Sequence, residues 1–253
     1  MAKRIRAVAR LTAIILMTTV LVALRILVMV LAPFGPRLER RLRRPVVMLW
    51  GRLIVPLMGA RVRILGEMPT PPFFLVSNHL SYVDSFLLVG LTGGTFVARE
   101  DLRRWPGANL VALAANTLFI DRSRMRDTKR VGDQIRRELE LGMGIIVFPE
   151  AGTSAGREVR PFKSALLEPA VEAGIPIHYC TIHYETLPGA PPASEVVCWH
   201  TPIGFMAHAL RMLGERGFEA RITFGPAPVT AGDRKELAQS LYAAVLQQFT
   251  PVQ

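Results

Sequence analysis

The chain has 253 residues, half of them hydrophobic, and a formal net charge of +11; that length supports one large domain with a sizeable core. Residues 1–63 hold 13 Lys or Arg against the single acid Glu39, a sum of +12, so the remaining residues together carry −1. A nucleic-acid binder would carry its basic face on the folded domain; here the excess flanks a greasy segment, which excludes that class and points to anionic lipid headgroups.

The greasy segment covers residues 11–32, with Arg25 as its only charge. As a helix it would span roughly 33 Å, enough to cross a bilayer core. Arg25 within the run, and the lack of a cleavage site ahead of the next basic stretch, argue against a cleaved signal peptide. Lys3, Arg4, Arg6 and Arg10 precede the segment, and Arg37, Arg40, Arg41, Arg43 and Arg44 follow it. A single span would leave one of these clusters on the wrong side of the membrane, whereas a helix that dips in or lies in the interface keeps both on the cytoplasmic face. Pro33, Gly35 and Pro36 supply a turn, and residues 38–58 mix Arg with Val46, Val47, Leu49, Trp50, Leu53 and Ile54 as an interfacial helix would. The expected division is a membrane-associated two-helix anchor over 1–58 and a catalytic domain over 59–253 that stands without the first helix.

From residue 61 onward short apolar runs alternate with helical patterns, the signature of a largely parallel or mixed sheet with helices on its faces. The expected strands are 61–65, 73–77, 95–98, 117–120, 144–148, 177–183, 196–200 and 220–224, and the expected helices are 83–91, 107–115, 126–141, 164–173, 203–213 and 234–249. Cys180 and Cys198 have no paired spacing, which fits a reducing compartment. His178, Cys180 and His183 look like a metal cluster at first sight, but in a strand His183 faces away from the other two, so no metal is expected.

Four stretches carry chemistry. The apolar run 73–77 ends abruptly in Asn78-His79, and Asp84 follows. Within one continuous helix five residues would turn His79 and Asp84 apart. They meet if His79 lies in a loop and Asp84 in the first turn of the next helix, where the dipole favours a carboxylate. Asp84 then holds one imidazole nitrogen and leaves the other free to accept a proton; a plain loop hydrogen bond is the alternative reading of the pair. Residues 119–122 form a strand ending in Asp121-Arg122, either a solvated strand end or an anion-binding guanidinium. Phe148-Pro149-Glu150 ends another buried run and opens a loop of small residues through Gly152, Thr153 and Gly156, whose amides can approach a ligand. Pro161-Phe162-Lys163-Ser164 precedes a helix, with Ser164 as its expected cap and Lys163 as a second anion contact.

In this order and spacing the stretches resemble the PlsC-type glycerolipid acyltransferases, the family of 1-acylglycerol-3-phosphate acyltransferases. Asn78-His79, four residues, then Asp84 matches the family's first block in full; Phe119 to Arg122 is similar to the second; Phe148-Pro149-Glu150 opens the third; and Ile175-Pro176-Ile177 is similar to the fourth. The resemblance covers about residues 60–225 and implies an α/β sandwich around a sheet of about seven mostly parallel strands. After Glu150 the family usually has Gly-Thr and then often Arg, whereas this chain has Ala151, Gly152 and Thr153. The run through Arg160 to Leu166, with 197–200 and His208 beyond, resembles the branch that includes lyso-ornithine-lipid acyltransferases.

The resemblance implies a membrane-associated O-acyltransferase on the cytoplasmic face of the cell inner or cytoplasmic membrane. It would move a fatty acyl chain from acyl-CoA or acyl carrier protein to a lysolipid hydroxyl. The expected acceptor is 1-acyl-sn-glycerol-3-phosphate, with a lyso-ornithine lipid as the alternative. His79 is then the general base and Asp84 its orienter. Substrate contacts are expected from Asn78, Arg122, Glu150, Gly152, Thr153 and Lys163, with Arg122 and Glu150 on the headgroup. The sequence has no G-x-S-x-G elbow, so direct attack without an acyl-enzyme is expected, and no cofactor. A lipid hydrolase using the same base on water, and a non-catalytic membrane-binding module, are the rival classes.

Overall fold

The computed structural model describes residues 1–30, 32–104, 112, 115–121, 125–172 and 174–253. Two long helices come first, α1 (Ala2–Met29) and α2 (Pro36–Leu57). Then follow β1 (Ala60–Leu65), β2 (Phe73–Ser77), α3 (Val83–Thr92), β3 (Thr95–Arg99), β4 (Leu118–Ile120), α4 (Met125–Glu140) and β5 (Gly144–Val147). The chain ends with α5 (Glu168–Glu172), β6 (Ile177–Thr186), α6 (Ala193–Val196), α7 (Phe205–Gly214), β7 (Phe218–Phe224) and α8 (Arg234–Gln248).

The strands form one seven-stranded sheet in the order β1-β7-β6-β2-β5-β3-β4. Neighbours are parallel except β6 and β7, which run antiparallel. β2 and β5 lie at the centre and are buried on both faces, so they read as continuous apolar runs rather than alternating ones. Successive side chains of β2 divide between two cores. Phe73 and Leu75 join one that contains α2, α3 and α7; Phe74 and Val76 join the other, closed by Val131, Ile135 and Leu139 of α4 and Leu237, Leu241 and Val245 of α8.

The expected strand over 196–200 is not one. β6 already has β7 and β2 as neighbours, and Val197 N–H and Cys198 N–H both donate to Ala193 O, closing α6. Trp199 N–H then donates to Leu80 O at 2.8 Å, laying this segment over the loop after β2. The expected helix over 164–173 breaks into a 3-10 turn at Ser164–Leu166 and α5. The one expected over 107–115 falls outside the described residues, apart from Ala112 and Ala115.

Helices α1 and α2 are not a separate unit. Ala7, Leu21, Val47, Trp50 and Ile54 belong to the same core as the sheet residues Phe73, Ile146 and Ile182. A Cβ on Gly51 would lie 2.5 Å from Gly90 N, so the two glycines let the backbones of α2 and α3 touch. Several cations that the sequence suggests for headgroups face inward. Arg6 and Arg10 donate to Gly214 O, Leu213 O and Glu215 O at the C-terminal end of α7, where the helix dipole favours positive charge. Lys3 pairs with Glu215 at 2.7 Å, Arg25 with Glu39 at 2.5 Å, and Arg40 and Arg43 both with Glu138 of α4. The outer face of α1 exposes Ile5, Val8, Leu16, Val20, Leu24 and Leu27, and that of α2 exposes Leu38, Leu42, Leu49 and Leu53 interleaved with Arg37, Arg41 and Arg52. Among the described residues α1 is the one helix long and apolar enough to cross a membrane by length and composition.

Candidate active site

The C-terminal ends of β2 and β5 lie side by side, because Val76 pairs with Val147. His79 leaves β2 in a loop, and Asp84 sits in the first turn of α3, where a carboxylate is favoured. His79 Nδ1 lies 2.8 Å from Asp84 Oδ2. The same oxygen accepts from Leu80 N–H at 2.6 Å and Ser81 N–H at 2.9 Å, and the other accepts from the Tyr184 hydroxyl. The carboxylate, fully buried, is therefore surrounded by donors and fixed in one orientation. The bond to Asp84 places the proton on Nδ1 and leaves Nε2 as the imidazole's acceptor. Nε2 makes no hydrogen bond among the described residues, and the His79 side chain is 18% exposed. The ring stacks on Phe148 with centroids 3.9 Å apart, and Phe148 stacks in turn on Phe96.

Glu150 fixes the loop from the other side. Its Oε1 accepts from His79 N–H at 2.8 Å and its Oε2 from Arg160 N–H at 3.0 Å. Burial pushes its carboxyl up to about 7, against the opposing effects of these two bonds and of His79. Both oxygens are thus engaged with backbone, a loop-holding arrangement where the sequence suggests a headgroup contact. Asn78 likewise turns inward. Its amide donates to Ile182 O at 2.9 Å and accepts from Ile182 N–H at 2.7 Å, tying the end of β2 to β6 and positioning the loop.

In the loop after Glu150, Ala151 has φ +67°, the left-handed region that the family's usual Gly would occupy without strain. Ser154 N–H donates to His79 O at 3.0 Å, and the Thr153 hydroxyl donates to Trp199 O. A Cβ on Gly152 would meet nothing closer than Arg160 Nη1 at 3.8 Å, so no close approach within the chain demands glycine there. Lys163 donates its backbone N–H to Pro149 O and exposes its side chain; it, and not Ser164, holds the cap position of the following 3-10 turn, without a side-chain cap bond. Arg122 lies outside the described residues.

Two further residues belong to the site. Tyr184 of β6 reaches Asp84 from 100 positions away, a separation that leaves no local signal. Arg160 places an exposed guanidinium beside the Gly152 loop, where it acts on the charge of Glu150. Cys180 and Cys198 are buried free thiols, and burial pushes Cys180 up to about 12. Among the described residues no three His, Cys, Asp or Glu side chains are grouped to hold a metal.

Residues 59–183 match the acyltransferase family. The lyso-ornithine lipid O-acyltransferase of Pseudomonas aeruginosa is 32% identical over 81% of this chain and 78% of its own length. That of Brucella abortus is 32% identical over 75% of this chain and 76% of its own. A 1-acyl-sn-glycerol-3-phosphate acyltransferase of Neisseria meningitidis is 28% identical over 53% of each chain. The crystal structure of the 1-acyl-sn-glycerophosphate acyltransferase PlsC from Thermotoga maritima matches 97% of both chains with a TM-score of 0.67 at 19% identity, a likeness of fold.

Proposed function

The chain belongs to the acyltransferase family, and on that premise we propose that it transfers a fatty acyl group from a thioester carrier to the free hydroxyl of a lysolipid. The observation that carries this reading is the His79–Asp84 pair, with Nδ1 held at 2.8 Å and Nε2 left open. Nε2 takes the proton of the acceptor hydroxyl as its oxygen attacks the thioester carbonyl. The tetrahedral adduct then expels the thiolate, which takes the proton back from the imidazolium, and Asp84 stabilises that imidazolium throughout. The amides of Gly152 and Thr153, which make no hydrogen bond among the described residues, are the donors we assign to the oxyanion. No step in this scheme calls for a metal or cofactor.

For the acceptor we place a lyso-ornithine lipid first and 1-acyl-sn-glycerol-3-phosphate second, the reverse of the order suggested by the sequence blocks alone. Thr153 stands where the family often has an Arg, and its hydroxyl is turned to Trp199 O. The relatives matched over three quarters of this chain also carry the first activity in their names. We assign residues 1–58 to attachment at the cytoplasmic face of the cytoplasmic membrane, through the apolar outer face of α1 and the mixed leucine and arginine face of α2.

Mass spectrometry of products from a panel of lysolipids, with acyl-CoA and acyl carrier protein as donors, tests the reading. Diacylated ornithine lipid is the expected product. Free fatty acid formed equally with and without an acceptor would point to a hydrolase instead, and no thioester turnover at all would point to a binding module.

A further inference from the structure

We propose that the outward face of α4 is the docking surface for an acyl carrier protein, an acidic protein that presents the thioester on a flexible arm; this rests on the acyl-transfer reading above. Val131, Ile135 and Leu139 turn one side of α4 into the core. The opposite side exposes Arg126, Lys129, Arg130 and Arg137, which border an open hollow together with Asp133 and Gln134. Arg130 is engaged by Asp127 and Gln134. Arg126, Lys129 and Arg137 make no hydrogen bond or ion pair among the described residues. Asp133 stands on the same face, four residues from both Lys129 and Arg137, so the stripe carries four cations against one acid and keeps a net positive charge.

Two features identify the occupant. First, Val131, Ile135 and Leu139 of α4 pack on the face of the sheet opposite to α3 and α7, and Glu138, near the C-terminal end of α4, reaches Arg40 and Arg43 of α2. Arg126 lies about 18 Å along the helix from that contact, and we assign this end of the stripe to a soluble acidic partner, with anionic headgroups as the alternative that the test below separates. Second, α4 follows β4, and β4 runs parallel to β3, β5 and β2, so the helix begins at the end of the sheet that carries His79 and Glu150. Three strand spacings separate β4 from β2, about 14 Å, a gap that a carrier's arm can bridge. From Arg126 to Arg137 the stripe runs about 16 Å along the helix, a length suited to an acidic helix rather than to a single nucleotide.

The test compares acyl carrier protein and acyl-CoA as donors for the full chain and for the triple variant Arg126→Glu, Lys129→Glu, Arg137→Glu. The expected result is a KM for acyl carrier protein raised about tenfold or more, with its salt dependence flattened. Turnover with acyl-CoA should stay within about twofold, which also shows that the variant folds. Equal losses with both donors, or an unchanged KM for the carrier protein, would overturn the proposal. So would a variant that loses binding to anionic lipid vesicles while keeping that KM, which would make the face a membrane contact. A wild-type enzyme that uses acyl-CoA and ignores the carrier protein would overturn the docking surface and leave acyl transfer standing; one that uses neither donor would remove both.

Discussion

The hydroxyl of Tyr184 donates to Oδ1 of Asp84, while Oδ2 of the same carboxylate holds His79 Nδ1 at 2.8 Å. Burial, reinforced by the neighbouring Asp84 charge, raises Tyr184 well above the ordinary phenol value, so the hydroxyl remains a donor at any working pH. That bond fixes the orientation of the carboxylate that holds His79. Tyr184→Phe keeps the packed ring but leaves Asp84 Oδ1 without this donor, so it should lower kcat about tenfold with the fold intact by circular dichroism. A near wild-type rate would reduce Tyr184 to packing.

Glu150 binds its proton more tightly in the fold than in the unfolded chain, because burial raises it to about 7. Stability from such a group is fully present below the unfolded value of about 4.3 and is lost as pH rises through about 7. Glu150→Gln removes that slope. It also leaves either His79 N–H or Arg160 N–H without an acceptor, at a cost of about 1–3 kcal/mol. Thermal unfolding should therefore show the variant below wild type at pH 5, with the gap narrowing by pH 8. A gap that widens with pH would contradict this assignment.

Ala151 sits at φ +67°. The left-handed region costs a residue with a Cβ about 1–2 kcal/mol, and the extra freedom of glycine in the unfolded chain returns about 0.4–1 kcal/mol of that difference. Ala151→Gly should raise stability by up to about 1.6 kcal/mol and leave turnover nearly unchanged. Denaturant titration checks the sign, and a lower midpoint at equal slope would show that the turn is not strained.

Arg160 offers its exposed guanidinium beside Gly152 and Glu150. If it meets the anionic group of the acceptor, Arg160→Ala should raise the KM for the lysolipid about tenfold and leave the donor KM close to normal, since its backbone bond to Glu150 survives the change. Acceptor kinetics indifferent to the substitution would take Arg160 out of the site.

The parts legible in the sequence were those with a local cause. The apolar runs of β2 and β5 end abruptly where buried strands end, and the spacing from His79 to Asp84 suits a loop followed by a first helical turn. Segment 196–200 misled because a short apolar run serves a buried loop as well as a strand; Val196, Val197 and Cys198 are all buried, yet their backbone is bonded to α6 and its neighbours. Asn78 and Glu150 stand out in the sequence by their places at strand ends, but their partners, the Ile182 backbone and the Arg160 amide, depend on chain crossings with no counterpart in local spacing. Charge misled in the same way at Arg6, Arg10 and Arg43, which read as headgroup ligands and instead cap α7 or pair with Glu138.

The most direct test is acyl transfer from a thioester to a lysolipid by His79→Ala, with folding checked by circular dichroism. Loss of the positioned base should lower the rate about 10²–10⁴-fold. Asp84→Asn should be comparably severe, and the double variant little worse than the worse single one, because the two residues act as a unit. A folded His79→Ala protein turning over near the wild-type rate would contradict the account at its centre.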